Sequence, residues 1–104
     1  MTSPRLALYA LCCLITSAGA ADDPINVVKK GQPKDVALFI DRYVECNHWG
    51  GEEPYDAERR KEILAAVTKL RCLQLDADEK ALLKKYMSNP AVSRAIKQTK
   101  QQYE

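Results

Sequence analysis

Cys46 and Cys72 constrain this chain more than any other pair of residues, provided that Cys12 and Cys13 leave with a targeting segment. Residues 1–20 have the three parts of a secretory signal: Arg5 as the lone charge, an unbroken run of apolar residues and Tyr9 over 6–15, and small Ala18-Gly19-Ala20 at its end. Cleavage is predicted before Ala21. A bilayer span needs about 20 apolar residues, and Thr16, Ser17 and Gly19 end this run early, so no stable membrane anchor is expected. Cys12 follows Leu11 in mid-run and Cys13 follows Cys12, which is not the small-residue setting of a lipid-modified cysteine. Both read as apolar bulk of the signal, and the mature protein is expected to be periplasmic or secreted.

An even pair of cysteines left in a small exported chain reads as a disulfide. A mature chain from Ala21 to Glu104 has a core that is marginal by itself. Closing the loop between Cys46 and Cys72 adds about 3–4 kcal/mol through loop-closure entropy. The competing reading is two free thiols forming half of a metal site. The same span holds 15 Lys and Arg against 14 Asp and Glu, a net charge of +1 that gives no electrostatic argument for nucleic acid.

Residues 21–32 carry Asp22, Asp23, Pro24 and Gly31 with little periodicity, and are expected to form an extended lead-in to a single domain over 33–104. That domain reads as all-α, with about four short amphipathic helices. Pro33 suits a first helical turn, and Val36, Phe39, Ile40, Tyr43 and Val44 form one apolar stripe over 34–47. Gly50-Gly51 and Pro54 break it. Asp56 is a good N-cap for a helix over 57–72 whose apolar set is Ile63, Leu64, Val67 and Leu70. Asp76 with Glu79 reads as a capping box opening a helix over 77–87, with Leu82, Leu83 and Tyr86 inward and Lys80, Lys84 and Lys85 on its solvent face. Asn89-Pro90 opens the last helix, 90–101, whose Val92, Ala95, Ile96 and Thr99 make a thin stripe expected to fray. Arg94, Lys97 and Lys100 repeat along it as a short basic stripe, read as a solvent face. Both cysteines fall at helix C-termini, which a tight antiparallel hairpin would hold a helix length apart. The bridge therefore predicts a splayed or crossed pair, with the loop running back along the first helix.

The segment 46–56 concentrates the only His and the only Trp with two glycines and three acids. Its residues Cys46, His48, Trp49, Gly51, Glu52, Tyr55 and Asp56 spell Cys-x-His-aromatic-x-Gly-Glu-x-x-Tyr-Asp, followed by a charged helix and Cys72. In this it resembles small secreted bacterial helical proteins of uncharacterised function, over about 46–76. The resemblance implies that these residues belong together and lends no activity. A weaker similarity, to lysozyme-inhibitor-like secreted domains, lies in Cys72-Leu73-Gln74-Leu75-Asp76 followed by Leu82, Leu83 and Tyr86; a capped amphipathic helix explains the same residues.

Taken singly, Trp49 and Tyr55 are expected to cover the helix junction, Gly50 and Gly51 to allow positive φ, and His48 to lock the loop through a buried hydrogen bond. As recognition or loop-ordering residues we single out His48, Trp49, Gly51, Glu52, Tyr55 and Asp56. A metal-dependent or hydrolytic enzyme centred on His48, Glu52 and Glu53 is the alternative, but these give zinc only a partial ligand set. Ser88 and Ser93 lie far in sequence from His48, and no glycine-rich phosphate loop is present. No catalytic residue, metal or cofactor is expected. The sequence reads as a small non-enzymatic binding module, of inhibitor or immunity type, whose partner is an envelope or secreted protein; a purely structural envelope protein is the remaining alternative. Its oligomeric state is left open.

Overall fold

The computed structural model describes residues 23–104, so the export signal, Cys12 and Cys13 lie outside the described residues. Among those described, the secondary structure is helical throughout: α1 Pro24–Lys29, α2 Lys34–Gly50, α3 Ala57–Lys69, a 3-10 turn Cys72–Gln74, α4 Leu75–Lys85 and α5 Pro90–Gln101. The all-α reading holds, and Cys46 and Cys72 are bonded, with Cα atoms 5.6 Å apart.

α2 is the hub, packing against each of the other helices. Its Val36, Phe39 and Ile40 meet Val92, Ala95 and Ile96 of α5 in a fully buried cluster. Ile25 and Val28 cover it from α1, Leu82, Leu83 and Tyr86 from α4. The sequence stripe on α5 is therefore no frayed end; Val92, Ala95, Ile96 and Thr99 are all buried. Thr99 is tolerated there because its hydroxyl donates to the Ala95 carbonyl at 2.9 Å, one turn back.

The expected extended lead-in contains α1 instead. Asp23 caps it by accepting from the Ile25 amide at 2.9 Å, and Pro24 starts it where a missing N–H costs nothing. Lys29 then pairs with Asp41 of α2 at 2.7 Å, and Gly31, at φ +78°, turns the chain into α2.

α4 also begins differently. The 3-10 turn after the disulfide carries the chain straight into helix at Leu75, with Gln74 at the cap position and no side-chain cap bond. Asp76 is thus inside the first turn rather than capping it, and Glu79 reaches Lys100 of α5 at 3.1 Å instead of closing a box.

The antiparallel α2–α4 pair is tied at both ends. Arg42 meets Asp78 at 2.9 Å, while Asp35 accepts from Lys85 and from the Tyr86 hydroxyl, each at 2.7 Å. Lys85 is therefore engaged rather than merely solvated. Lys85, then Tyr86, lowers the Asp35 pKa, and Asp35 in turn raises those of Lys85 and Tyr86. A carboxyl whose folded pKa lies below its unfolded value, about 3.9, stabilises the fold above that value and loses the contribution as pH falls through the folded one. The raised pKa values of Lys85 and Tyr86 act oppositely, in place below about pH 10 and lost as pH rises through the folded values. The melting temperature of the parent chain should drop on acidification below about pH 4, and Asp35→Asn should flatten part of that drop while lowering stability at neutral pH. An unchanged acid profile in the variant would remove the cluster from the account.

Candidate functional site

The 46–56 segment is half helix and half loop. α2 runs one turn beyond the predicted end, through His48 and Trp49 to Gly50, so only 51–56 connects it to α3. Gly51 caps α2 with right-handed φ −91°, and neither Gly50 nor Gly51 uses positive φ. A Cβ on Gly51 would meet only the Asn47 and His48 carbonyl oxygens at 3.6 and 3.7 Å, ordinary contact distances. The left-handed conformation falls instead on Arg71, at φ 55°, where the chain turns from α3 into the disulfide.

An ion network gathers at the start of α3. Asp56 is the N-cap, its Oδ1 accepting from the Arg59 amide at 2.7 Å. That cap orients the first turn so that the Arg59 side chain points back at α2. Its guanidinium lies 3.2 Å from Glu52 Oε2 and 2.7 Å from Glu62 Oε2, and its carbon sits 5.2 Å from the centre of the Trp49 ring. The other Glu52 oxygen takes His48 Nε2 at 3.3 Å, and the His48 ring meets Trp49 edge-on at 5.6 Å between centroids. Trp49 and Glu52 therefore converge on Arg59, a cation over an aromatic face and bound by two carboxylates, with His48 joined to it only through them.

Arg59 and Glu62 were not singled out from sequence. Arg59 stands three residues after a cap and looks like any exposed cation of a first turn; only its placement against α2 distinguishes it.

The remaining segment residues part company. The Tyr55 side chain is 79% exposed and does not cover the junction. Glu53 is exposed and joins no ion pair among the described residues. The His48 side chain is 62% exposed, so its pair with Glu52 is a surface one, worth at most about 1 kcal/mol. His48 does meet a nearby carboxylate, but at the surface rather than through the buried hydrogen bond expected from sequence. Glu52 is already divided between His48 and Arg59, and with Glu53 apart the three do not form one centre. Among the described residues no three His, Cys, Asp or Glu side chains come together as a metal-binding group.

The far end of α3 is fixed to α2 independently. Arg42 donates to the carbonyls of Leu70 at 2.8 Å and Arg71 at 3.1 Å, closing orphan acceptors at the helix end, and the disulfide follows at once. α3 thus starts beside Trp49 and returns to Arg42 and Cys46. The loop does not run back along α2, as the sequence argument required; the helix itself does. From Arg59 to Leu70 is about 16 Å of helix, whereas from Trp49 to Arg42 is about 10 Å. Both ties are made by long arginine side chains, which take up that difference while α3 packs along α2. Among the described residues, α3 touches only α2 and the 3-10 turn, and none of its own residues is buried. The inward set read from sequence is accordingly corrected: Ile63, Val67 and Leu70 are half-buried, and Leu64 is 58% exposed.

A cavity of about 330 Å³ opens between α4 and α5, lined by Glu79, Leu83, Ile96, Lys97, Lys100 and Glu104. It shares no residue with the 46–56 segment. No known protein family, curated protein or solved structure matches the chain.

Proposed function

We propose that the chain is a small, exported, non-enzymatic binding module of the bacterial envelope, of inhibitor or immunity type, acting on an envelope or secreted protein partner. The observation that carries this reading is Tyr55, an aromatic ring 79% exposed on a short loop that is held at both ends. Glu52 fixes one end through Arg59 and His48, and the Asp56 cap fixes the other. A ring presented from a fixed loop loses little conformational entropy on binding, the property that makes tyrosine a frequent anchor at protein interfaces. Glu53 beside it supplies a polar rim. Trp49 and Arg59 serve the module by holding the loop.

The roles separate in one experiment. With the processed chain immobilised and challenged with envelope extract, Tyr55→Ala should lose the captured partner while keeping the parent melting temperature. Trp49→Ala should lower the melting temperature, because Arg59 loses its stacking surface, and weaken capture only through the loop. If Tyr55→Ala captures the same protein as strongly as the parent, the loop is not the recognition surface.

A further inference from the structure

Among the described residues, nothing packs on the outward face of α3. Leu64 lies at its centre with Arg60 and Lys61 one turn before it on either side and Thr68 one turn after; Arg71 and Leu73 follow at the turn. Leu64 is 58% exposed and Leu73, at the corner formed by the disulfide, is 96% exposed. Arg60 and Lys61 are exposed and join no ion pair with any described residue. No acid stands among these positions. Glu62 is turned to the opposite side, onto Arg59, and Glu53, Asp56 and Glu58 gather at the N-terminal end. From Arg60 to the corner at Leu73 these positions are therefore cationic and apolar together, with Glu58 one turn before Lys61 marking the acidic end and Arg71 also donating to Gln74.

We propose that this face, centred on Leu64, Leu73, Arg60, Lys61 and Arg71, rests reversibly on an anionic lipid surface. Leucines flanked by long cationic side chains suit the boundary of a bilayer, where the apolar side chains enter and the cations reach phosphate oxygens. A face with cations and no acids has its electrostatic complement in a negatively charged leaflet. Two leucines are too few for a permanent anchor, so the contact depends on the lipid charge. It complements rather than replaces protein recognition at Tyr55, which lies outside the named residues, and holding α3 on the membrane would confine that recognition to partners at the bilayer.

The test is co-sedimentation of the processed chain, which contains the whole described core, with two vesicle preparations: phosphatidylcholine alone and phosphatidylcholine doped with phosphatidylglycerol. Binding is expected only to the second. Each cation near such a surface contributes about 1 kcal/mol, so Arg60→Gln with Lys61→Gln should weaken binding roughly 30-fold. Leu73→Ser should weaken it roughly tenfold without changing the melting temperature, since a side chain this exposed contributes nothing to the core. Arg94→Gln with Lys97→Gln, on the basic stripe of α5, should bind as the parent does. Equal binding to both vesicles, parent-like binding by the α3 variants, or loss of binding in the α5 variant would each overturn the proposal. So would an absence of vesicle binding in a chain that still captures an envelope protein.

Discussion

Replacing Cys46 and Cys72 together with Ala should lower the stability of the processed chain by about 3–4 kcal/mol, the loop-closure value for a bridge spanning 26 positions. A domain of this size has roughly 4–12 kcal/mol in total, so the bridge supplies about a quarter of it or more. The loss falls unevenly. α1, α2, α4 and α5 share the buried cluster and keep their mutual contacts, whereas among the described residues α3 has only α2 and the 3-10 turn. Without the bridge, α3 remains tied by the Arg42 bonds to Leu70 and Arg71 and by the Arg59 network, both of which water can replace. Amide exchange should therefore accelerate most over α3, ahead of α2 and α5. A denaturation midpoint that shifts by less than about 1 kcal/mol, or exchange that rises equally in α5, would show that the bridge is not what holds α3.

The features legible in the sequence are those decided within a few residues. Asp56 and Asn89 cap α3 and α5 because a short polar side chain ahead of a helix can satisfy a free amide wherever the helix later packs. The stripe of Val36, Phe39 and Ile40 is legible because α2 is long enough for its period to repeat. α1 was missed for the opposite reason: six residues give Ile25 and Val28 a single spacing, too little to separate a helix from a lead-in. The Asp23-Pro24 pair was its only local sign. Asp76 and Glu79 misled because a local pattern met a stronger constraint, the 3-10 turn that leaves the disulfide already wound toward helix. At the candidate site, Asp56 was readable and Arg59 was not. The value of Arg59 comes from Trp49 on α2 and Glu52 on the loop, and no spacing rule reports what the first turn of α3 will meet.

Ile96→Ala should cost about 2–5 kcal/mol, the range for truncating a buried aliphatic side chain that leaves a cavity, while Leu64→Ala should stay within about 0.5 kcal/mol of the parent. The sequence alone ranks them the other way, since Leu64 belongs to a fuller apolar set than the thin stripe of α5. Tertiary placement reverses the order. Ile96 is 2% exposed and sits with Val92 and Ala95 against Val36, Phe39 and Ile40, so a methyl group there leaves a void walled by α2. Leu64 is 58% exposed, whereas Ile63, Val67 and Leu70 are the half-buried residues of its helix. Urea denaturation of the two variants, with the native disulfide intact in both, compares them directly. Comparable losses at the two positions would mean that α3 packs against α2 with Leu64 inside. The outward face of Arg60, Lys61 and Leu64 would then not exist, and the membrane contact would fail with it.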